Sequence, residues 1–103
     1  MAKFIYVYHG GGRPETPEEG ERVMAAWMNW MQNLGDAIVD GGNPVGMSKT
    51  VTAGGVEDGG GSNPVSGYTL VKATDIDAAC AMAKGCPIFA SGGSVEVAEA
   101  MDM

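Results

Sequence analysis

The only histidine of this 103-residue sequence, His9, is followed directly by Gly10-Gly11-Gly12-Arg13. An imidazole there could work as a general base near neutral pH, while the glycine amides and Arg13 could hold a carboxylate or phosphate. The glycine triplet lacks the spaced glycines and the Lys-Ser/Thr ending of a phosphate loop, so the competing reading is a strand-end histidine beside a turn. No serine lies in a Gly-x-Ser-x-Gly context, and a lone histidine without an adjacent acidic orienter argues against a catalytic triad. One His, two unclustered Cys and dispersed carboxylates match no metal-ligand spacing, so neither a metal nor a cofactor is expected. The densest acidic group, Glu15, Glu18, Glu19 and Glu21, crowds the start of a predicted helix, where the helix dipole favours negative charge.

These residues must be positioned by one small domain. About 100 residues is the length of one domain, so a single domain over 1–103 is expected. Thirteen carboxylates against six Lys and Arg give a net charge of −7, which repels phosphate backbones and anionic lipid and excludes nucleic-acid and membrane-surface roles. The apolar run Phe4-Ile5-Tyr6-Val7-Tyr8 is too short for a signal peptide, and no stretch is long enough to span a membrane. Cys80 and Cys86 match neither a zinc nor a redox motif and read as free thiols. A cytoplasmic location is expected.

The elements follow from periodicity. Lys3 to Tyr8 alternates as a strand, with Phe4, Tyr6 and Tyr8 on one side and Ile5, Val7 and His9 on the other. Thr16-Pro17-Glu18-Glu19 supplies an N-cap, a first-position proline and a reciprocal Glu for a helix from Pro17 to Leu34, stopped by Gly35. Its apolar stripe is Val23, Trp27, Trp30, Met31 and Leu34, widened by Met24 and Met28. Ala37 to Ala53 reads as two short strands around Gly41-Gly42-Asn43-Pro44, and Glu57 to Pro64 as a hairpin tip within the glycine-rich stretch Gly54 to Gly67. A strand from Gly67 to Lys72 leads into a helix that starts at Thr74 or Asp75 and ends at Gly85, with Ile76, Ala79, Cys80 and Ala83 as its apolar face. The last strand carries Val95 and Val97 on one side and Glu96 and Ala98 on the other. Right-handed crossovers place the first and third strands of this βαββαβ order side by side, giving a ferredoxin-like α+β sandwich with an antiparallel sheet and both helices on one face.

Such a sheet leaves one face open, and an apolar open face calls for a partner subunit. If Ile5 and Val7 face the helices, Tyr6 and Tyr8 join Tyr68, Leu70 and Lys72 on the open face. Two copies facing each other would then enclose a mostly apolar cleft with few polar groups, the usual form of a small-molecule site. The alternative is that these aromatics serve only as dimer contacts.

The segments Gly67-Tyr68 to Lys72, Asp75-Ile76-Asp77-Ala78-Ala79, Gly85-Cys86-Pro87 and Gly92 to Val97 resemble the C-terminal half of YCII-related (YciI-like) proteins, nearest to their DGPF-domain branch. Tyr6-Val7-Tyr8 and Pro17-Glu18-Glu19 extend the resemblance over nearly the whole chain. It implies a dimeric α+β barrel, a homodimer with a cleft between two sheets, and a biochemical function that is mostly unassigned. It also implies an alternative role as a non-catalytic interaction module tied to transcription, because such proteins are often encoded beside alternative sigma factors. The Asp-Gly-Pro-Phe signature is reduced to Asp58-Gly59. Some relatives pair a helix-one histidine with a nearby acid; here the histidine position falls near Ala26 or Trp27, and only the acid, at Asp36, is retained. His9 and Asp36 are therefore the catalytic candidates, and Tyr6, Tyr8, Arg13, Tyr68 and Lys72 the cleft candidates.

Overall fold

The computed structural model describes residues 1–102. Strand β1 (Ala2–His9) leads through the glycine triplet to helix α1 (Pro17–Leu34), a 3₁₀ turn (Gly35–Ala37) and the short strand β2 (Ile38–Asp40). Strands β3 (Lys49–Thr52) and β4 (Gly55–Asp58) form a separate hairpin. Strand β5 (Val65–Ala73), helix α2 (Ile76–Ala83), a second 3₁₀ turn (Pro87–Ser91) and strand β6 (Ser94–Ala100) complete the chain. The main sheet has the order β2-β5-β1-β6. β1 is antiparallel to both of its neighbours, β5 and β6, and β5 is antiparallel to β2. This is the ferredoxin-like α+β arrangement, with the hairpin inserted between the second and third strands of the repeat.

Both helix starts are built as their sequences dictate. Thr16 accepts from the Glu19 amide at 3.1 Å, and Asp75 accepts from the Ala78 amide at 2.8 Å, each satisfying a donor with no intrahelical partner. The Glu19 carboxylate reaches back to the amide of Glu15, one residue short of the expected reciprocal bond to Thr16. Gly35, at φ 53°, ends α1 and donates to the Met31 carbonyl.

The faces of β1 are opposite to the sequence expectation. Phe4, Tyr6 and Tyr8 are buried against the helices, while Ile5 and Val7 lie half-buried on the open face with Leu70 and Ala98. The reason is reach. α1 meets the sheet through the rings of Trp27 and Trp30, and only aromatic side chains on β1 are long enough to answer them. Tyr6 stacks on Trp30 with ring centroids 6.1 Å apart, and Tyr8 meets Trp27 edge-on at 5.0 Å. Trp30 is buried, and its indole N–H donates to the Met82 carbonyl at 3.2 Å, tying α1 to α2. Burying an indole of that size contributes roughly 4–6 kcal/mol of transfer free energy before entropy is counted.

Other expectations shift for related reasons. Met24 and Met28 do not widen the core stripe; they are 65% and 58% exposed, because α1 touches the sheet along one narrow seam. On α2 the packed residues are Ala79 and Ala83, and Ile76 and Cys80 face solvent. Two small residues let α2 lie close enough for the Tyr6 hydroxyl to donate to the Ala79 carbonyl. The hairpin turns at Ala53-Gly54, so Glu57 and Asp58 belong to β4, and Gly59 to Pro64 form the return to β5. Every residue of β4 is exposed, as are all of β3 except the half-buried Thr50, and the chain measures 43 × 43 × 18 Å. Its radius of gyration, 14.8 Å, exceeds the roughly 13 Å of a compact chain of this length because the hairpin projects from the sandwich.

Candidate functional site

A cavity of about 730 Å³ opens between α1 and the helix-facing side of the sheet. Val23, Met24, Trp27 and Met31 form its α1 wall, and Tyr8, Gly67 and Thr69 its floor. Gly10–Gly12 and Ile88 close one end, and the segment Gly41–Pro44 closes the other. The cavity exists because α1 is propped off the sheet by indole rings where β5 offers Gly67 and Thr69, residues too short to fill the gap.

The segment Gly41–Pro44 lies against β5 through the Tyr68 amide donating to the Asn43 carbonyl at 3.2 Å and the Val45 amide donating to Ser66 at 3.0 Å. Gly42 makes this possible. It has φ 73°, and a side chain there would overlap the Tyr68 carbonyl.

One polar chain crosses the floor. The Tyr8 hydroxyl bonds to Thr69 Oγ1 at 2.8 Å, and Thr69 Oγ1 bonds to the Gly41 carbonyl at 3.0 Å. Burial pushes the Tyr8 phenol well above its usual range, and the Thr69 bond only partly offsets this. Among the described residues, Glu21, exposed on α1, is the only charged one lining the cavity. The enclosed part therefore has an apolar body and one neutral hydrogen-bonding end, which can bind and orient a small molecule but offers no charged group for proton transfer.

His9 lies on the other face of the sheet. Its Nε2 is 2.9 Å from the Glu96 carboxylate and its Nδ1 is 3.2 Å from the Pro64 carbonyl. Both partners are acceptors, so only the doubly protonated imidazolium satisfies both contacts. The Glu96 bond accordingly raises the His9 pKa; burial opposes the rise and the Pro64 carbonyl adds to it. His9 thus clamps the return of the hairpin to β6, with no ring nitrogen left over for a substrate.

The cleft candidates separate. Tyr8 lines the cavity, whereas Tyr68, opposite Val7 in the β1–β5 register, carries its ring on the open-face side and borders the cavity where β5 meets the segment Gly41–Pro44, with the Asn43 side-chain amide 3.5 Å from its hydroxyl. Tyr6 is fully buried beneath α2, where burial, with Cys80 and Cys86 nearby, pushes its phenol up to about 12. It faces neither the cavity nor the open face. Lys72 is exposed on the open face opposite Lys3, and Arg13 is exposed without lining the cavity. Asp36 is exposed in the turn after α1 and forms no ion pair with His9. Sequence reasoning missed Glu96, although β6 pairs with β1 and alternation puts Glu96 opposite Val7, on His9's side. It also missed Thr69 and Gly42, for which the buried alternation of β5 and the Gly41-Gly42 turn were the available signals. No group of three or more potential metal ligands occurs among the described residues. No helix among them is long and apolar enough to cross a membrane.

A scan of the sequence against protein-family models gives no match, and a search of curated proteins gives none either. Among solved structures, the chain is similar to 5-chloro-2-hydroxyhydroquinone dehydrochlorinase (TftG) from Burkholderia phenoliruptrix AC1100, determined in complex with 2,5-dihydroxybenzoquinone. The TM-score is 0.55 at 15% identity, over 94% of this chain and 93% of that one. The likeness is one of fold.

Proposed function

We propose that this chain is a YCII-related, DGPF-branch protein that binds a small apolar molecule in the cavity between α1 and the sheet, and does so as a homodimer. The cavity itself carries the reading. Its volume is that of an ordinary small-molecule site, its walls are aliphatic, thioether and aromatic, and its polar groups gather at one end. Structural similarity to a protein whose structure holds a planar quinone supports a ligand-binding use of this fold by analogy. With no charged side chain in its enclosed part, the site acts by binding and orienting its ligand.

The second copy covers the open face of the sheet. Ile5, Val7, Leu70 and Ala98 form an apolar strip there with no covering layer, and the hairpin exposes the cross-strand pair Val51 and Val56 at 74% and 62%. A two-stranded hairpin is marginal by itself, so a subunit against which it packs accounts for both features.

Titration with the neutral dye N-phenyl-1-naphthylamine tests the site. Saturable fluorescence with one dye per chain, energy transfer from Trp27, and loss of binding in Val23→Trp are expected. Absence of binding, or binding indifferent to Val23→Trp, would refute the site, and a monomer in native mass spectrometry would refute the homodimer.

A further inference from the structure

The protons of the Tyr8–Thr69–Gly41 chain can be assigned by elimination. The Gly41 carbonyl can only accept, so the single proton of Thr69 goes to it. Thr69 Oγ1 must then accept from the Tyr8 hydroxyl. With its proton committed, Tyr8 has only an oxygen lone pair left for a second partner. Three backbone donors of the lining are committed as well: the Gly12 amide donates to the Ser91 carbonyl, the Gly42 amide to the Asp40 carboxylate and the Tyr68 amide to the Asn43 carbonyl. The Tyr8–Thr69–Gly41 chain therefore presents an acceptor to the cavity, while the Asn43 side-chain amide at this end is turned to the Tyr68 hydroxyl.

Charge narrows the ligand further. Anions meet Glu21 at the rim and a net charge of −7, with no Lys, Arg or His lining the cavity to receive them. A full positive charge would lose its hydration against Met31 and Trp27 without a carboxylate in the enclosed part to replace it.

Resting on the ligand-binding reading of the cavity, we infer that it selects neutral ligands that present an O–H or N–H donor to the Tyr8 oxygen, and rejects isosteres that offer only an acceptor. Aryl alcohols and aromatic N–H heterocycles fit; aryl ethers and ketones of the same shape place lone pair against lone pair. Thr69 sets this preference without touching the donor itself, because it holds the Tyr8 proton away from the ligand.

Indole and benzofuran differ by an N–H against a ring oxygen and serve as the probe pair, each measured by displacement of N-phenyl-1-naphthylamine. Indole is expected to bind about 2- to 13-fold tighter, the range of one neutral hydrogen bond. Thr69→Val frees the Tyr8 proton to donate, so the gap should close or invert. Tyr8→Phe removes the acceptor while leaving Thr69 on Gly41, and should close the gap without inversion. Equal affinities in the wild type, or tighter benzofuran, would overturn the donor preference while leaving the cavity as a site. An indole preference unchanged in either variant that still binds the dye would also overturn it. Failure of both probes to displace the dye would overturn the selection and the ligand-binding reading together.

Discussion

Two adjacent glycines in the cavity wall should respond oppositely to the same added methyl group. At Gly42, φ 73° puts an L-residue in the left-handed region, at a cost of roughly 1–2 kcal/mol. The new Cβ would overlap the carbonyl of Tyr68, which belongs to a central strand and cannot yield, so Gly41–Pro44 must lift away from β5. That movement breaks the Tyr68-to-Asn43 and Val45-to-Ser66 backbone bonds, each worth about 1 kcal/mol net. Gly42→Ala should therefore cost about 3–4 kcal/mol and lower the urea midpoint by at least about 1 M. Gly41 has no left-handed φ, and a Cβ there meets nothing within 4 Å. Gly41→Ala should leave stability unchanged or raise it by about 0.4–1 kcal/mol through the unfolded state. Dye binding should weaken only in Gly42→Ala, since its wall is the one displaced. The assay is urea unfolding followed by tryptophan fluorescence. A Gly42→Ala protein within about 1 kcal/mol of Gly41→Ala would show that the segment is not seated on β5 as described.

Two further outcomes are expected. The folded pKa of His9 is raised above its ordinary value, so its contribution to stability is fully present below about pH 6.5 and is lost as pH rises through the folded value; the wild-type advantage over Glu96→Gln in urea unfolding should shrink over that rise, and a constant or growing advantage would contradict the clamp. Burial pushes the Cys86 thiol up to about 11, whereas Cys80 is exposed on α2. At pH 8 an aromatic disulfide reagent should therefore label one thiol per folded chain and the second only in denaturant, and two fast thiols would mean that the packing around Cys86 is loose.

The sequence by itself determined the order of elements, the helix caps and the fold class. Those features rest on local rules: an N-cap hydroxyl or carboxylate at Thr16 and Asp75, a glycine stop at Gly35, and alternation in β1, β5 and β6. Alternation also divided β1 into an aromatic and an aliphatic face, but it could not say which one the helices cover, since both are apolar. Tertiary packing decided that, because only Tyr6 and Tyr8 reach the indoles of an α1 that stands off the sheet. The same choice moved the candidate site from the open face to the cavity beneath α1. It also made Thr69, which in sequence is only a β-branched strand residue, the group that sets the proton of Tyr8. His9 was visible as the only imidazole, but its partners lie 55 and 87 residues away, at Pro64 and Glu96. A hydrogen bond's donor and acceptor can be read from residue types, but their meeting depends on strand register, which is set by packing of the whole sheet.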